Sequence, residues 1–407
     1  MTPAPGSTHV LGRPQPLGLF DGPAGLLLLR GEAEFTDLLV RLSRGEIPDG
    51  LTEGQPVLAA ALGDDFESAL SLLGTGPEDA VNRLVLAPSP ESLDAAVAAA
   101  GSDPRMNAVV AAAAFASGLS DEPPSAHGLD GEFAVLALTV RAARALEFKD
   151  SRAALRLLDE AIPHAQTTGP VLHARVLGMA AEQRARNRAA QREAADTYGR
   201  AVALLEGTAF SQLRAGYQLE RAVLLHQMAG ESRHLLVEAV RGYQSALLVL
   251  DEKEDPERFA LASMNLGIAI LAMPMTQASD QVRLGVAVQS LRAALRVYNP
   301  DTHPYEWSSC QMNLANALQY LPSTHGADNL REAVDLYEAV LGVRSRLSDP
   351  AGYARVLANQ ANALAHLAVF DEAATRYQDA RGLFVAVGDH DAVEVIDRQL
   401  AEIESCR

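Results

Sequence analysis

The sequence predicts an all-α protein in which a domain of small helices precedes a solenoid of helical hairpins. Hydrophobic residues make up 48 % of the 407 residues but aromatic residues only 5 %, a composition that suits closely packed helices. Runs of alternating β-branched residues, which would indicate strands, are missing. A pattern of small and large residues at helical spacing also recurs six times in the second part of the chain.

The charge balance and hydropathy exclude several classes of partner. The 34 basic and 52 acidic residues give a net charge of −18, whereas nucleic-acid and anionic-membrane surfaces require positive fields. The longest apolar runs, 26–29 and 108–116, are shorter than the ~20 residues that span a bilayer. We therefore expect neither a nucleic-acid nor a membrane partner.

Cysteine usage and the N-terminus indicate a cytoplasmic protein. Cys310 and Cys406 lie far apart, so a disulfide framework or a cysteine metal site is not expected. The first residues lack the charged segment and apolar stretch of a signal peptide. Lys149 and Lys253 are the only lysines among the 34 basic residues, a bias typical of a high-GC bacterial genome.

Composition divides the chain into four parts. Residues 1–16, rich in proline and glycine, are expected to be a flexible tail, and 17–130 an N-terminal α-helical domain. The polar stretch 119–131 marks the boundary to about six helical hairpins over 131–388. Residues 389–407 are predicted to form a closing helix with a polar outer side.

The repeated pattern is a small residue, a large residue four positions later and a second small residue three positions after that. These offsets place all three side chains on one helix face, where small residues let a neighbouring backbone approach. Successive large residues are 40–48 positions apart. The copies are Ala154–Leu158–Ala161, Ala194–Tyr198–Ala201, Ala239–Tyr243–Ala246, Ala287–Leu291–Ala294, Ala333–Tyr337–Val340 and Ala373–Tyr377–Ala380.

A second motif precedes several copies, so that each repeat is a pair of antiparallel helices. It reads Met264-Asn265-Leu266-Gly267, Met312-Asn313-Leu314-Ala315 and Ala358-Asn359-Gln360-Ala361, with Tyr217-Gln218-Leu219-Glu220 as a weaker copy. Together the two motifs resemble the tetratricopeptide repeat over roughly 131–388, although the period exceeds the family norm of about 34 residues. The resemblance implies a right-handed superhelix.

The resemblance also implies a concave groove, lined by the first helix of each hairpin, that receives a segment of a partner protein. Its amides would pair with an extended backbone, and Arg355 would hold a carboxylate. Alternatively, the asparagines only bridge adjacent repeats. The predicted groove residues are Arg214, Gln218, Arg221, Asn265, Asn313, Asn316, Gln319, Tyr320, Arg355, Asn359, Asn362 and His366.

Two further charge patterns bear on the partner. In the family members that clamp a free carboxy terminus, a lysine stands where this chain has Met312, which argues against that ligand. Arg184, Arg188 and Arg192 share one helix face and would either dock an acidic segment or pair with neighbouring acids.

These observations predict a non-catalytic interaction protein, an adaptor, scaffold or assembly chaperone, such as one that assists assembly of a multi-subunit enzyme. No motif calls for a metal or a cofactor, and Cys310 and Trp307 are expected to be packing residues. The N-terminal domain is a candidate dimerisation module. Two alternatives stay open: a peptide-sensing regulator with a DNA-binding N-terminal part, and an enzyme with its active site in that part.

Overall fold

The described part of the chain is mostly helical. A computed structural model describes residues 11, 13–29, 36–49, 51–230, 232–274, 280–321 and 325–406. These residues form 20 α-helices and contain no strand. The all-α prediction is confirmed.

The chain divides into a first unit, residues 1–224, and a second unit, residues 225–407. The first unit contains α1 (Thr36–Ser43), α2 (Leu51–Gly54), α3 (Pro56–Leu62), α4 (Phe66–Ser71), α5 (Pro77–Leu86), α6 (Pro90–Ala100), α7 (Pro104–Ala116), α8 (Gly131–Glu147), α9 (Ser151–Thr168), α10 (Pro170–Ala185) and α11 (Gln191–Leu204). The boundary falls within α12 (Ser211–Ala229). The second unit continues with α13 (Arg233–Leu247), α14 (Pro256–Leu271), α15 (Asp280–Ala294), α16 (Pro304–Tyr320), α17 (Gly326–Val343), α18 (Pro350–His366), α19 (Phe370–Val387) and α20 (His390–Cys406).

Aspartate followed by proline sets the start of three helices. Asp103, Asp255 and Asp349 each accept a hydrogen bond from a backbone N–H of the first turn, at 2.9–3.2 Å. The proline that follows has its φ fixed near the helical value and lacks an N–H that would otherwise be unpaired. These caps begin α7, α14 and α18.

An extended segment is built into the core of the first unit. The Asn82 side chain accepts from the Leu28 N–H and donates to its carbonyl, both at 2.8 Å. Gln15 makes the same pair of bonds to Leu29, at 2.7 and 2.9 Å. Leu27, Leu28 and Leu29 are buried. Two amides thus satisfy backbone groups that burial would otherwise leave unpaired.

The hairpins pack through the predicted small–large–small triplets. All six triplets lie on the second helix of a pair, namely α9, α11, α13, α15, α17 and α19. Each of their side chains is at most 3 % exposed. In the second unit consecutive helices from α13 to α20 pack against each other. Trp307 and Cys310 lie in this core, as predicted. The helical-hairpin architecture is therefore confirmed in each unit.

The predicted domain boundaries remain predictions, although the structure describes some of the residues concerned. Residues 1–10 and 12 of the expected tail lie outside the described part of the chain. Leu11 is buried, and Arg13 donates to Glu132 of α8 at 2.7 and 3.1 Å. The stretch 119–131 lies inside the first unit.

The closing helix α20 has one apolar and one polar side. Ile396 and Ile403 are buried in the core of the second unit. The predicted outer side is exposed at Glu394, Asp397, Arg398, Glu402 and Glu404. Separately, no helix among the described residues combines the length and the apolar character that a membrane span needs.

Candidate functional site

A concave pocket of ≈ 540 Å³ lies in the second unit, on the first helices of three successive hairpins and on α15. Its apolar wall comes from α14 and α15, and its polar wall from α16 and α18. The residues that line it are Ile268, Leu271, Ala272, Leu284, Asn313, Asn316, Tyr320 and Asn359. Four of them, on α16 and α18, were predicted as groove residues.

Helix periodicity brings the polar residues to this face. Asn313 and Asn316 are three positions apart on α16, and Tyr320 follows four positions later, so all three share one stripe. The opposite stripe of the same helix, with Cys310, Leu314 and Leu318, is buried in the core. The buried stripe therefore fixes which side chains α16 presents to the pocket.

The amides of α16 and α18 are joined by hydrogen bonds. Asn359 Nδ2 donates to Asn316 Oδ1 at 3.1 Å, and Asn362 Nδ2 donates to Gln319 Oε1 at 2.9 Å. Asn313 instead donates to the Ser309 carbonyl of its own helix at 2.8 Å. The interhelical bonds bridge two successive hairpins. This is the arrangement expected if the asparagines join adjacent repeats. The bond between Asn316 and Asn359 uses the carbonyl of Asn316 and the amino group of Asn359, and it leaves the amino group of Asn316 and the carbonyl of Asn359 for a further partner.

Tyr337 of α17 forms hydrogen bonds with two of the amides of α16. Its hydroxyl donates to Asn316 Oδ1 at 2.5 Å and accepts from Gln319 Nε2 at 2.7 Å. The side chain is fully buried, and burial raises the pKa of the hydroxyl above its ordinary value. The group therefore stays protonated at neutral pH and keeps both hydrogen bonds.

The pocket is electrically neutral. The lining residues that the structure describes are aliphatic, amide or phenolic, and none carries a charge. Arg355 and His366 are exposed on α18, and Asn265 is half-buried on α14. These three predicted residues do not line the pocket, although Asn265 lies one turn before Ile268, and neither do Gln319 and Asn362.

The other predicted groove residues, Arg214, Gln218 and Arg221, belong to the first unit, on α12. The Nε atom of Arg214 is buried without a hydrogen-bond partner among the described residues. Arg221 packs over Gly199 of α11, with its Nε 3.3 Å from the position a β-carbon would take. Arg221 therefore packs against α11, the second helix of a hairpin in the first unit.

The prediction that Arg184, Arg188 and Arg192 share one helix face is wrong, because Arg184 lies on α10, Arg192 on α11 and Arg188 in a 3-10 turn between them. Arg184 and Arg192 are paired. Arg184 donates to Asp159 at 2.6 Å and to Glu193 at 2.7 Å. Arg192 lies 3.6 Å from Asp196. These pairs match the interpretation of the cluster as a solvated, internally compensated face rather than a dock for an acidic segment.

Sequence reasoning missed the apolar wall, although part of it was readable. Ile268 occupies in α14 the position that Asn316 occupies in α16, three residues after the repeated asparagine. Leu271 and Ala272 correspond in the same way to Gln319 and Tyr320. Repeat alignment would have found these residues. Leu284 lies on a second helix, so only the packing of α14 against α15 reveals it.

The Cys310 thiol and the possible metal ligands do not form a second candidate site among the described residues. Burial raises the pKa of the Cys310 thiol to about 12, so it is not a thiolate at neutral pH. No group of three or more His, Cys, Asp or Glu side chains that could hold a metal ion occurs within the described ranges. A neutral pocket with one aliphatic and one amide wall offers a ligand apolar contacts and hydrogen bonds, and its described lining residues include one phenol, Tyr320. No protein-family model matches the chain, and no curated protein matches it.

Proposed function

We propose that this protein is a non-catalytic interaction module, an adaptor, scaffold or assembly chaperone, that binds an extended partner segment in the pocket of the second unit. The partner would be another protein, such as a subunit of a multi-subunit enzyme. The observation that carries the proposal is that one pocket combines an apolar wall with asparagine amides that still have donor or acceptor groups to offer a ligand. Pockets of this composition combine burial with a few orienting polar groups.

The chain itself contains the recognition chemistry that the proposal requires. Asn82 pairs with both backbone groups of the extended residue Leu28 at 2.8 Å. An amide that pairs with one N–H and one carbonyl holds a backbone without reading the side chain. Asn313 and Asn359 present the same functional group to the pocket.

The remaining parts of the proposal concern context. The net charge of −18 supports a protein partner over nucleic acid. Both cysteines are free thiols, which supports a reducing cytoplasm as the site of action. The buried triplets of the six hairpins support, with the second motif, assignment to the tetratricopeptide type.

Photo-crosslinking on the full-length protein tests the location of the ligand. Peptides selected from a random library would be mixed with protein in which Tyr320 is replaced by a photo-crosslinking phenylalanine analogue. Tyr320 lines the pocket and is 65 % exposed. The matched control places the same analogue at Tyr305, which is 85 % exposed at the other end of α16, about 22 Å away along the helix.

The proposal expects crosslinks from position 320 and none from position 305. It also expects the Asn313→Ala plus Asn359→Ala variant to lose peptide binding. The exposed amides Gln244 and Gln289 serve as controls, because their replacement by alanine should leave binding unchanged. Crosslinks from position 305 alone, or full binding by the asparagine variant, would move the site away from the pocket.

A further inference from the structure

The hydrogen bond between Asn316 and Asn359 fixes what the two amides can offer to a ligand. A bond between two primary amides consumes the carbonyl of one and an N–H of the other. Here the carbonyl of Asn316 and the amino group of Asn359 are used. Asn316 therefore turns its amino group outward, while Asn359 turns its carbonyl outward. Both residues line the pocket, so a donor and an acceptor stand side by side.

Tyr337 fixes the orientation of the Asn316 amide. Its hydroxyl donates to the same Asn316 carbonyl, at 2.5 Å, so that oxygen already accepts two hydrogen bonds. Gln319 donates to the Tyr337 oxygen at 2.7 Å and is thereby fixed as well. Rotation of the Asn316 amide by 180° would set its amino group against the amino group of Asn359. The buried phenol and the neighbouring amide thus hold one orientation together.

A peptide bond complements the donor and acceptor of this site, whereas a carboxylate does not. A peptide bond carries one acceptor and one donor, and so matches an adjacent amino group and carbonyl. A carboxylate has acceptors only, and it would meet the outward carbonyl of Asn359 with its negative charge. No charged residue among the described lining residues compensates for that charge. The aliphatic side chains of Ile268, Leu271 and Leu284 form the facing wall.

We propose that the pocket selects the interior of an extended polypeptide, with an aliphatic side chain beside the recognised peptide bond, and rejects a free carboxy terminus. Tyr337 is the positioning residue that sets this preference, because it orients Asn316 without lining the pocket. The inference rests on the proposed peptide-binding function and names the class of segment that is bound.

The test uses two peptide libraries against the full-length protein. Both contain random peptides with one fixed leucine. In the first library the termini are acetylated and amidated, and in the second the leucine is the carboxy-terminal residue with a free carboxylate. Fluorescence anisotropy of selected members should show at least about tenfold tighter binding of the blocked peptides, because the carboxylate leaves the Asn359 carbonyl unpaired.

Two variants test the positioning role. Tyr337→Phe keeps the ring but frees Asn316, so the ratio of the two affinities should fall toward one. Tyr377→Phe is the matched control, because Tyr377 occupies the same triplet position on α19 and bonds to Gln399 instead. Asn316→Asp keeps the acceptor that Tyr337 and Asn359 require but removes the outward donor. It should fold normally and lose blocked-peptide binding at least about tenfold.

The outcomes separate the inference from the function on which it rests. Equal or tighter binding of the free-carboxylate peptides would overturn the inference and leave peptide binding in place. An unchanged affinity ratio in Tyr337→Phe would overturn the positioning role of Tyr337. Full binding by Asn316→Asp would overturn the role of the Asn316 amino group as the donor. Binding of neither library would overturn the proposed function itself.

Discussion

Leu291 of α15 packs directly onto Gly267 of α14. A β-carbon on Gly267 would lie 2.7 Å from Leu291 Cγ and 3.2 Å from the Ala287 carbonyl oxygen. Gly267 belongs to the second motif, on the first helix of this hairpin, and Leu291 is the large member of the triplet on its second helix. In this hairpin the two motifs are thus the two sides of one helix–helix contact.

This contact predicts that Gly267→Ala is destabilising even though alanine favours helices. Overpacking against Leu291 should lower the free energy of unfolding by about 1–3 kcal/mol. Gly285→Ala is the matched control, since its β-carbon would meet open space and the change should stabilise α15 by up to about 1 kcal/mol. Urea denaturation of both variants checks the pair. An equal gain in stability for both would show that the contact is misplaced.

The triplets predict a similar contrast for alanines. Ala294 is fully buried at the end of a triplet, whereas Ala339 on α17 is exposed. Ala294→Phe should cost about 1–3 kcal/mol through overpacking, and Ala339→Phe should stay within about 0.5 kcal/mol of the native protein. Thermal denaturation measures both. A small effect at Ala294 would mean that the small residues do not set the spacing of the hairpins.

The buried thiol of Cys310 should make the stability of the protein depend on pH. Burial raises the pKa of Cys310 from 9.0 to about 12, so the native state keeps a proton that the unfolded chain releases. Its contribution to stability is complete below pH 9 and is lost as pH rises toward 12. Urea denaturation at about pH 8 and about pH 11 should show a smaller loss of stability in Cys310→Ala than in the native protein.

A thiol-reactive chromophore provides the control for this account. The exposed Cys406 should react in the native protein, while Cys310 reacts only after denaturation. Rapid labelling of both thiols in the native state at pH 8 would contradict the burial of Cys310.

The apolar wall predicts an effect on peptide binding. Leu271 lines the pocket and is half-buried, whereas Leu248 is 87 % exposed and lies outside it. Leu271→Asn should weaken binding of a blocked leucine peptide by about 1–2 kcal/mol, because the buried aliphatic contact is lost. Leu248→Asn should leave the affinity unchanged. Calorimetric titration of both variants decides whether the wall takes part in recognition.

Much of the hairpin architecture could be predicted because the same small–large–small triplet recurs in every repeat. A single small–large–small triplet fits many helices, but six at nearly constant separation specify one packing arrangement. The buried residues Tyr243 and Tyr337 lie where the pattern places them. Periodicity along one helix is a local property, so a sequence reveals it directly.

The candidate site was only partly predictable. Asn313 and Asn359 carry the repeat pattern and line the pocket. The bond from Tyr337 to Asn316 joins residues on different helices of a hairpin, and it depends on how deeply the phenol is inserted. The insertion of the Leu27 to Leu29 segment beside Asn82 was not predicted either, since nothing local indicates a partner 54 positions away.

Hydrogen–deuterium exchange of the full-length protein with a blocked leucine peptide tests the central claim most directly. Binding should slow exchange in α14, α15, α16 and α18, the helices whose side chains line the pocket, while α13, α17 and α19 change little. Protection confined to other helices, or none at all with the peptide bound, would contradict the claim that the stacked hairpins hold an extended polypeptide in this pocket.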